Sequence, residues 1–450
     1  MIRTPKAFSP LLQSMVDSFR RPATARRVVF FFAAAILTVG DRTVSNVLRL
    51  IGLIEKVNPS TYHRLLSHRR WNSRPLAYAI AKFVLDRFVP QGVVCVCGDE
   101  TVDGHRGKKV YGKARHRDAV RSSHSHTVYR YGHKWIVLAL LVNLPYTSRP
   151  FALPVLVALY RSKQANSQEG RRHKTPGELM CGLLATLMHW FPKRKFIFAG
   201  DGGYGTHPMA RFAYHHRQRL SLVSKFVADA NLFAPPPRRN NAQVGRPRVK
   251  GRALPKPREV VAQKKRARRL RVRWYGGGWR NVEVVTGQGQ WYKSGAGVVP
   301  VLWVFVRDLS GTHRDEYFFA TNTAMSARAV IEMYGGRWNI ETTFQELRSH
   351  LGLETTRGWS EQTVLRMAPC LFCLYTLVVI FYDTMPWSNP HIRTTHWLGK
   401  ETTTFSDMIG SVRRYLWIEW IFTQVPGGDA VQKLSKPILA VLDFGLAQAA

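Results

Sequence analysis

Three apolar runs set the frame for this chain: "GVVCVCGDE", "HKWIVLALLVNLP" and "KRKFIFAGDGGYG". Each is rich in β-branched or aromatic residues, and each reads as a strand buried on both faces. Helical patterns alternate with them. "GELMCGLLATLMHWF" precedes the third run, "HPMARFAYHHRQRL" follows it, and "SLVSKFV" is a further strand. This alternation predicts an α/β domain with a mostly parallel central sheet.

Two of the runs end in aspartate, Asp99 and Asp201, followed by polar or Gly-rich loop. In open α/β sheets, ligands bind beyond the carboxyl ends of strands. Two aspartates placed there, with no Lys or Arg in the adjoining strand residues, repel unless a cation lies between them. Oxygen ligands select Mg²⁺ or Mn²⁺. Asp99 has a plainer reading as a turn residue, and Glu100 and Asp103 compete with it for a catalytic role. Around Asp201, the glycines of "GDGGYG" admit close approach of a metal-bound phosphate, and no nucleotide-loop motif follows.

Carboxylates are scarce here. The 450 residues hold 67 Lys+Arg against 28 Asp+Glu, a formal net charge of +39. That imbalance predicts a polyanionic partner, with DNA or RNA first in line. A ribosomal or lectin-like basic protein is the plainer alternative, but the long apolar elements argue for a large folded body. From about 232 to 273 the chain is Pro-rich and dense in Lys and Arg, with Glu259 as its one acid. It reads as extended or disordered until an anion binds it. Its "GRPR", containing Arg246 and Arg248, is similar to the arginine-flanked cores that enter narrow minor grooves. The sequence after it reads as strands with Gly turns, so 230–310 is expected to be a basic, β-rich insertion.

Residues 1–92 read as a helical DNA-binding domain. "DRTVSNVLRLIG" and "NPSTYHRLLSHRRW" suit a helix-turn-helix with Arg64, His68 and Arg69 facing a groove, or simply a solvated basic face. Residues 385–450 read as a mixed, helical tail. The apolar runs Val28–Gly40 and Met367–Tyr382 fall short of the roughly 18 residues of a membrane span, so core helices are favoured, the second run lying nearer the limit. No apolar leader opens the chain. Five cysteines, odd in number and scattered, imply a reducing compartment rather than a disulfide framework. Cys370 and Cys373 suit small buried positions better than zinc, and His124 and His126 suit a surface loop near DNA.

The stretch "YGGRWNIETTFQELRSHLG", Tyr334 to Gly352, carries the most specific pattern. On a helical wheel Arg337, Glu341 and Arg348 fall within roughly 40° of one another, beside an apolar stripe of Ile340, Phe344, Leu347 and Leu351. The plain reading is an Arg–Glu surface pair worth a few tenths of a kcal/mol. The functional reading makes Glu341 a third carboxylate, with arginines holding phosphates on either side. Gly335 and Gly336 weaken a single continuous helix, which would leave Tyr334 on the turn before it.

Tyr334-x2-Arg337-x3-Glu341-x6-Arg348 resembles the Y-x2-R-x3-E-x6-K signature of a group of bacterial insertion-sequence transposases. "GDETVDGHRGKKVYG" is similar to their first-Asp segment. The resemblance covers about residues 93–384 and departs at Arg348, which stands where the family has Lys and changes the geometry of phosphate contact. It implies an RNase H-like catalytic core in two parts, 93–229 and 311–384, interrupted by the insertion. It also implies a DDE triad of Asp99, Asp201 and Glu341 binding two Mg²⁺ ions, for which Mn²⁺ can substitute.

The activity implied is cut-and-paste transposition. Terminal inverted repeats are bound, a strand is cut by hydrolysis, the ends pass through hairpins, and the 3′ ends are joined to target DNA. Tyr334, Arg337 and Arg348 would contact phosphates. Trp338 would stack on a flipped base or else pack in the core, with Trp274, Trp279 or Trp291 as the residue that displaces the base. A homodimer that synapses two ends, with the tail as a possible interface, and a bacterial cytoplasmic location at the nucleoid complete the expectation. The rivals are an RNase H-like nuclease without strand transfer and a non-catalytic DNA-binding derivative.

Overall fold

The structure, a computed structural model, describes residues 9–118, 122, 125–237, 245, 247–263, 267–385, 400–422 and 427–446. His124 lies outside these residues. Eleven strands join one mixed sheet. They are β1 (Val94–Gly104), β2 (Ala114–Arg117), β3 (Tyr129–Val142), β4 (Phe151–Tyr160), β5 (Phe196–Gly200), β6 (Leu220–Lys225), β7 (Leu232–Phe233), β8 (Arg268–Arg273), β9 (Trp279–Lys293), β10 (Gly297–Asp308) and β11 (Glu316–Ala320).

The centre of the sheet runs β4-β3-β1-β5-β6. Only β1–β5 and β5–β6 are parallel; the other pairings are antiparallel. The expectation of a mostly parallel sheet is therefore corrected. A parallel pair needs a crossover of a dozen or more residues, usually helical. Residues 143–150 are too few to cross between β3 and β4, and 105–128 contain no helix among the described residues. β4 itself, "FALPVLVALY", was hidden in what reads as a basic loop.

The strands of 230–310 extend this sheet. β9 and β10 form a long hairpin, and β11 joins it to β6 with Phe318 opposite Lys225. The stretch 232–273 is not wholly extended or disordered. It contains β7, β8 and a short helix at Pro257–Ala262. β8 alternates exposed arginines with inward Leu270 and Val272, a period of two that the arginine count conceals.

Five helices precede the sheet: α1 (Ser9–Asp17), α2 (Pro22–Leu37), α3 (Val44–Leu50), α4 (Pro59–Ser67) and α5 (Ser73–Phe88). Within and after it come α6 (Lys163–Gln168), α7 (Pro176–Trp190), α8 (His207–His215), α9 (Pro257–Ala262), α10 (Ala327–Arg337), α11 (Asn339–Leu351), α12 (Glu361–Thr384), α13 (Phe405–Tyr415) and α14 (Lys436–Leu446). α7 starts on a capping box, with Thr175 and Glu178 satisfying each other's backbone N–H. α12 is long and apolar enough to cross a membrane, yet 78% of its most apolar window is buried inside the protein. It packs against β4, α5 and α13 as a core helix. Buried arginines tie the N-terminal helices to the rest: Arg413 donates to the Ile36 carbonyl at 2.7 Å and Arg366 to that of Leu66 at 2.8 Å.

Candidate active site

In the parallel pairing of β1 and β5, Gly98 stands opposite Gly200, and the next residue on each strand is an aspartate. β5 stops at Gly200, while β1 runs on to Gly104 beside β3. Asp99 is therefore inside a strand rather than at its end. What ends at that level is the β1–β5 ladder, and this sets Asp99 and Asp201 side by side, on strands about 4.8 Å apart. Successive strand residues face opposite sides. A side chain at Gly98 would run into Met180 of α7, whereas Asp99 reaches Arg337 of α10 on the other face. The Asp201 carboxylate accepts from the Gly203 N–H at 3.0 Å, and its carbonyl accepts from the Ser224 hydroxyl of β6 at 2.7 Å.

The third carboxylate comes from the junction of α10 and α11. Trp338 joins them with helical backbone angles, φ −56° and ψ −22°. The two glycines do not interrupt the path, and Tyr334 is helical rather than on a turn. Ile340, Phe344, Leu347 and Leu351 are all buried, which fixes the rotation of α11.

Arg337 then lies between two carboxylates. Its Nη1 donates to Asp99 Oδ2 at 2.5 Å and its Nη2 to Glu341 Oε1 at 2.9 Å. The Arg337 and Asp99 side chains are 8% and 15% exposed, whereas Glu341 is 46% exposed, so Asp99 forms the floor and Glu341 the rim. Burial pushes the Asp99 carboxyl up to about 7, and Asp201 and Glu341 push the same way, against Arg337 and the Glu100 N–H. For Arg337, burial works against the charge, but Asp99, Tyr334 and Glu341 outweigh it and hold the guanidinium protonated.

The other expected residues divide. Arg348 does not share Glu341; its Nε donates to Glu354 Oε1 at 3.1 Å, and its Nη2 donates to the hydroxyl of Thr101, two residues beyond Asp99 on β1. Trp338 is 40% exposed, so it is a surface residue and not a core one. Tyr334 is 1% exposed and packs on Phe318 with ring centroids 4.4 Å apart, so its ring belongs to the core.

Arg64 and Arg69 are exposed, and Arg69 lines an open groove with Arg20, Arg21 and Arg70. Arg248 is exposed, and Arg246 lies outside the described residues. Trp274 is buried and Trp291 packs among His207, Phe226 and Phe319, while Trp279 is exposed. Of the competitors to Asp99, Glu100 pairs with Lys134, and Asp103 faces two histidines at the far end of β1.

Sequence reasoning missed a basic cleft lined by Arg106, Lys108, Lys109, Arg130, Arg357 and the exposed Trp359. "GHRGKKVYGK" and "TTRGWS" each pair glycine with basic residues, which was the available signal. It also missed Lys225 at the end of β6, which pairs with Glu316 at 2.6 Å and lies 5.9 Å from the Tyr334 ring.

The family model described as DDE superfamily endonuclease matches residues 14–281. The chain belongs to the DDE superfamily endonucleases. The match of this DDE endonuclease spans Asp99 and Asp201 and stops short of Glu341. No protein of curated function matches the sequence. Among solved structures, a piggyBac transposase synaptic complex with hairpin DNA aligns over 99% of this chain and 84% of its own, at 11% identity and a TM-score of 0.40. A likeness of that size carries no argument about mechanism.

DDE superfamily nucleases use divalent metals. The donor set fits such an ion: three carboxylates supply hard oxygen ligands of the kind Mg²⁺ and Mn²⁺ take. Burial first, and then the charges of Asp201 and Glu341, disfavour the ionised form of Asp99. They are not drawn within 4.8 Å of one another, because the guanidinium of this DDE endonuclease stands between Asp99 and Glu341.

Proposed function

We propose that this DDE endonuclease is a DNA transposase of the insertion-sequence type, with Asp99, Asp201 and Glu341 as its catalytic carboxylates. One observation carries the reading: in a chain of net charge +39, Asp99 of β1 and Glu341 of α11 share one buried arginine, and Asp201 at the end of β5 stands beside Asp99. The strand order β4-β3-β1-β5-β6 supports reading the core as RNase H-like. Two Mg²⁺ ions, or Mn²⁺ in their place, would be held by the three carboxylates. Such ions, when bound, activate water and offset the charge that builds on a phosphate in displacement.

The remaining roles belong to the chain. Arg337 neutralises Asp99 and Glu341 before DNA arrives and can turn its donors toward a phosphate once they are neutralised otherwise. Arg348, anchored by Glu354 and Thr101, fixes a phosphate further along β1. Trp338, at the surface one residue after Arg337, offers a face to an unstacked base. Arg64, Arg69, Arg246 and Arg248 would add contacts to the DNA backbone, and a homodimer would hold two ends together.

The test uses DNA bounding the reading frame, with its terminal inverted repeats, incubated with the protein and Mg²⁺. Hairpin ends and strands joined to a target plasmid are the expected products. Nicks without joined products would favour an RNase H-like nuclease, and binding without nicks a non-catalytic derivative.

A further inference from the structure

The far end of β1 holds a second polar cluster. Asp103 lies near the end of the strand, His105 just beyond it, and His133 opposite Asp103 on β3. The Asp103, His105 and His133 side chains are 1%, 7% and 2% exposed. One ligating atom from each lies within 4.8 Å of the others, and no other such trio of His, Cys, Asp or Glu occurs among the described residues.

Partners outside the trio orient each group. His133 Nε2 lies 2.8 Å from the Tyr111 carbonyl oxygen. A carbonyl only accepts, so Nε2 carries the proton and the lone pair of the neutral ring is on Nδ1. That lone pair faces Asp103 Oδ1 at 3.3 Å. The carboxylate already accepts from the His133 backbone N–H at 2.9 Å and from the Trp135 indole N–H at 3.1 Å. His105 Nε2 is 3.3 Å from Asp103 Oδ2.

A lone pair set against a carboxylate is repulsive unless a cation stands between them. The cation is either a second proton on the ring or a metal ion. Charge-assisted N–H to carboxylate bonds close to about 2.7–2.9 Å. Two ligands of a tetrahedral zinc ion, each about 2.0–2.1 Å from it, stand roughly 3.3–3.4 Å apart. Both histidine–Asp103 separations have the longer value, His133 against Oδ1 and His105 against Oδ2, so one ion between the rings would meet the carboxylate through both oxygens. A backbone carbonyl on the far nitrogen of a histidine and an indole on a carboxylate are also the kind of outer contacts that aim metal ligands.

We propose that Asp103, His105 and His133 bind one late first-row divalent ion, zinc by donor type, at a site separate from the catalytic carboxylates. Two imidazoles and one carboxylate select such an ion over Mg²⁺. His105 borders the basic cleft. The ion clamps β1 to β3 and, through Tyr111, steadies the loop that carries Lys108, Lys109 and Lys113. None of this depends on the chain being a transposase.

The test is made on the full chain, expressed with zinc and freed of loosely held metal on a chelating resin. Elemental analysis should give one zinc per chain. Replacement by Co²⁺ should give the visible absorption of a low-coordinate nitrogen–oxygen site, and zinc should raise the thermal midpoint. His105→Ala should lose the ion and the spectrum, while Asp201→Asn keeps both. If His105→Ala does not fold, His105→Gln and the Co²⁺ spectrum of the wild-type chain carry the same test. Wild-type protein that holds no more zinc than the His105 variants overturns the proposal. So does NMR showing both His133 nitrogens protonated after zinc treatment.

Discussion

Arg337 and Asp99 form an ion pair of 2.5 Å between the last turn of α10 and the middle of β1. The pair is buried, and Arg337 also pairs with Glu341. Removing one partner of a buried pair leaves an uncompensated charge, at a cost of about 3–5 kcal/mol. Arg337→Ala should therefore lower the thermal midpoint of metal-free protein markedly. Added Mg²⁺ or Mn²⁺ should restore more stability to the variant than to the wild type, because it supplies the missing positive charge. Calorimetry with and without metal checks both statements. Equal metal effects on the two proteins would mean that Arg337 and the ions do not share these carboxylates.

Gly132 faces Gly104 where β1 and β3 pair, and a side chain there would collide with the Asp103 carbonyl oxygen. The obstacle is backbone and cannot rotate away. Gly132→Ala should cost stability at the upper end of about 1–3 kcal/mol or beyond. Urea denaturation measures it.

His116 is buried, and that burial first, then Lys134 and His133, lowers its pKa to about 4. The fold thus favours the neutral ring, while the unfolded chain takes up a proton near pH 6.5. Between pH 6.5 and 4 the unfolded state binds more protons, so stability falls as pH falls through that window and does not change above it. The loss is at most about 3 kcal/mol on this scale. His116→Gln should flatten the decline between pH 7 and pH 5, seen as a smaller change in urea midpoint than in the wild type.

Trp338 is exposed on the same side of the helix junction as Glu341. Trp338→Ala should weaken binding to DNA with an unpaired base by about 1–3 kcal/mol, as loss of one stacking partner does. Binding to fully paired DNA and the melting temperature should change little. Fluorescence anisotropy with the two DNA forms separates the effects.

Much of this site was legible from residues alone because its signals are local. An apolar run ending in Asp marks the level of Asp99 and Asp201, and helical spacing fixes the face of α11 through Ile340 and Phe344. The pairing of strands was not legible. Direction depends on which connections can cross the sheet, and β4 was hidden among basic neighbours. The fate of the arginines was also out of reach. Arg337 and Arg348 share an arc on the helix, yet one meets Asp99 on β1 and the other Glu354 in the turn after α11. Asp103 looked like a rival to Asp99; only the β1–β3 register shows it opposite His133.

The central claim is that Asp99, Asp201 and Glu341 form one catalytic centre. Its most direct measurement is the nicking rate on end-sequence DNA in Mg²⁺ for Asp99→Asn, Asp201→Asn, Glu341→Gln and the triple variant. Residues that act as a unit are non-additive when removed together. Each single variant should lose cleavage by about a thousandfold or more while binding DNA as the wild type does, and the triple variant should be no worse. Cleavage that survives in any one of the three would contradict the account.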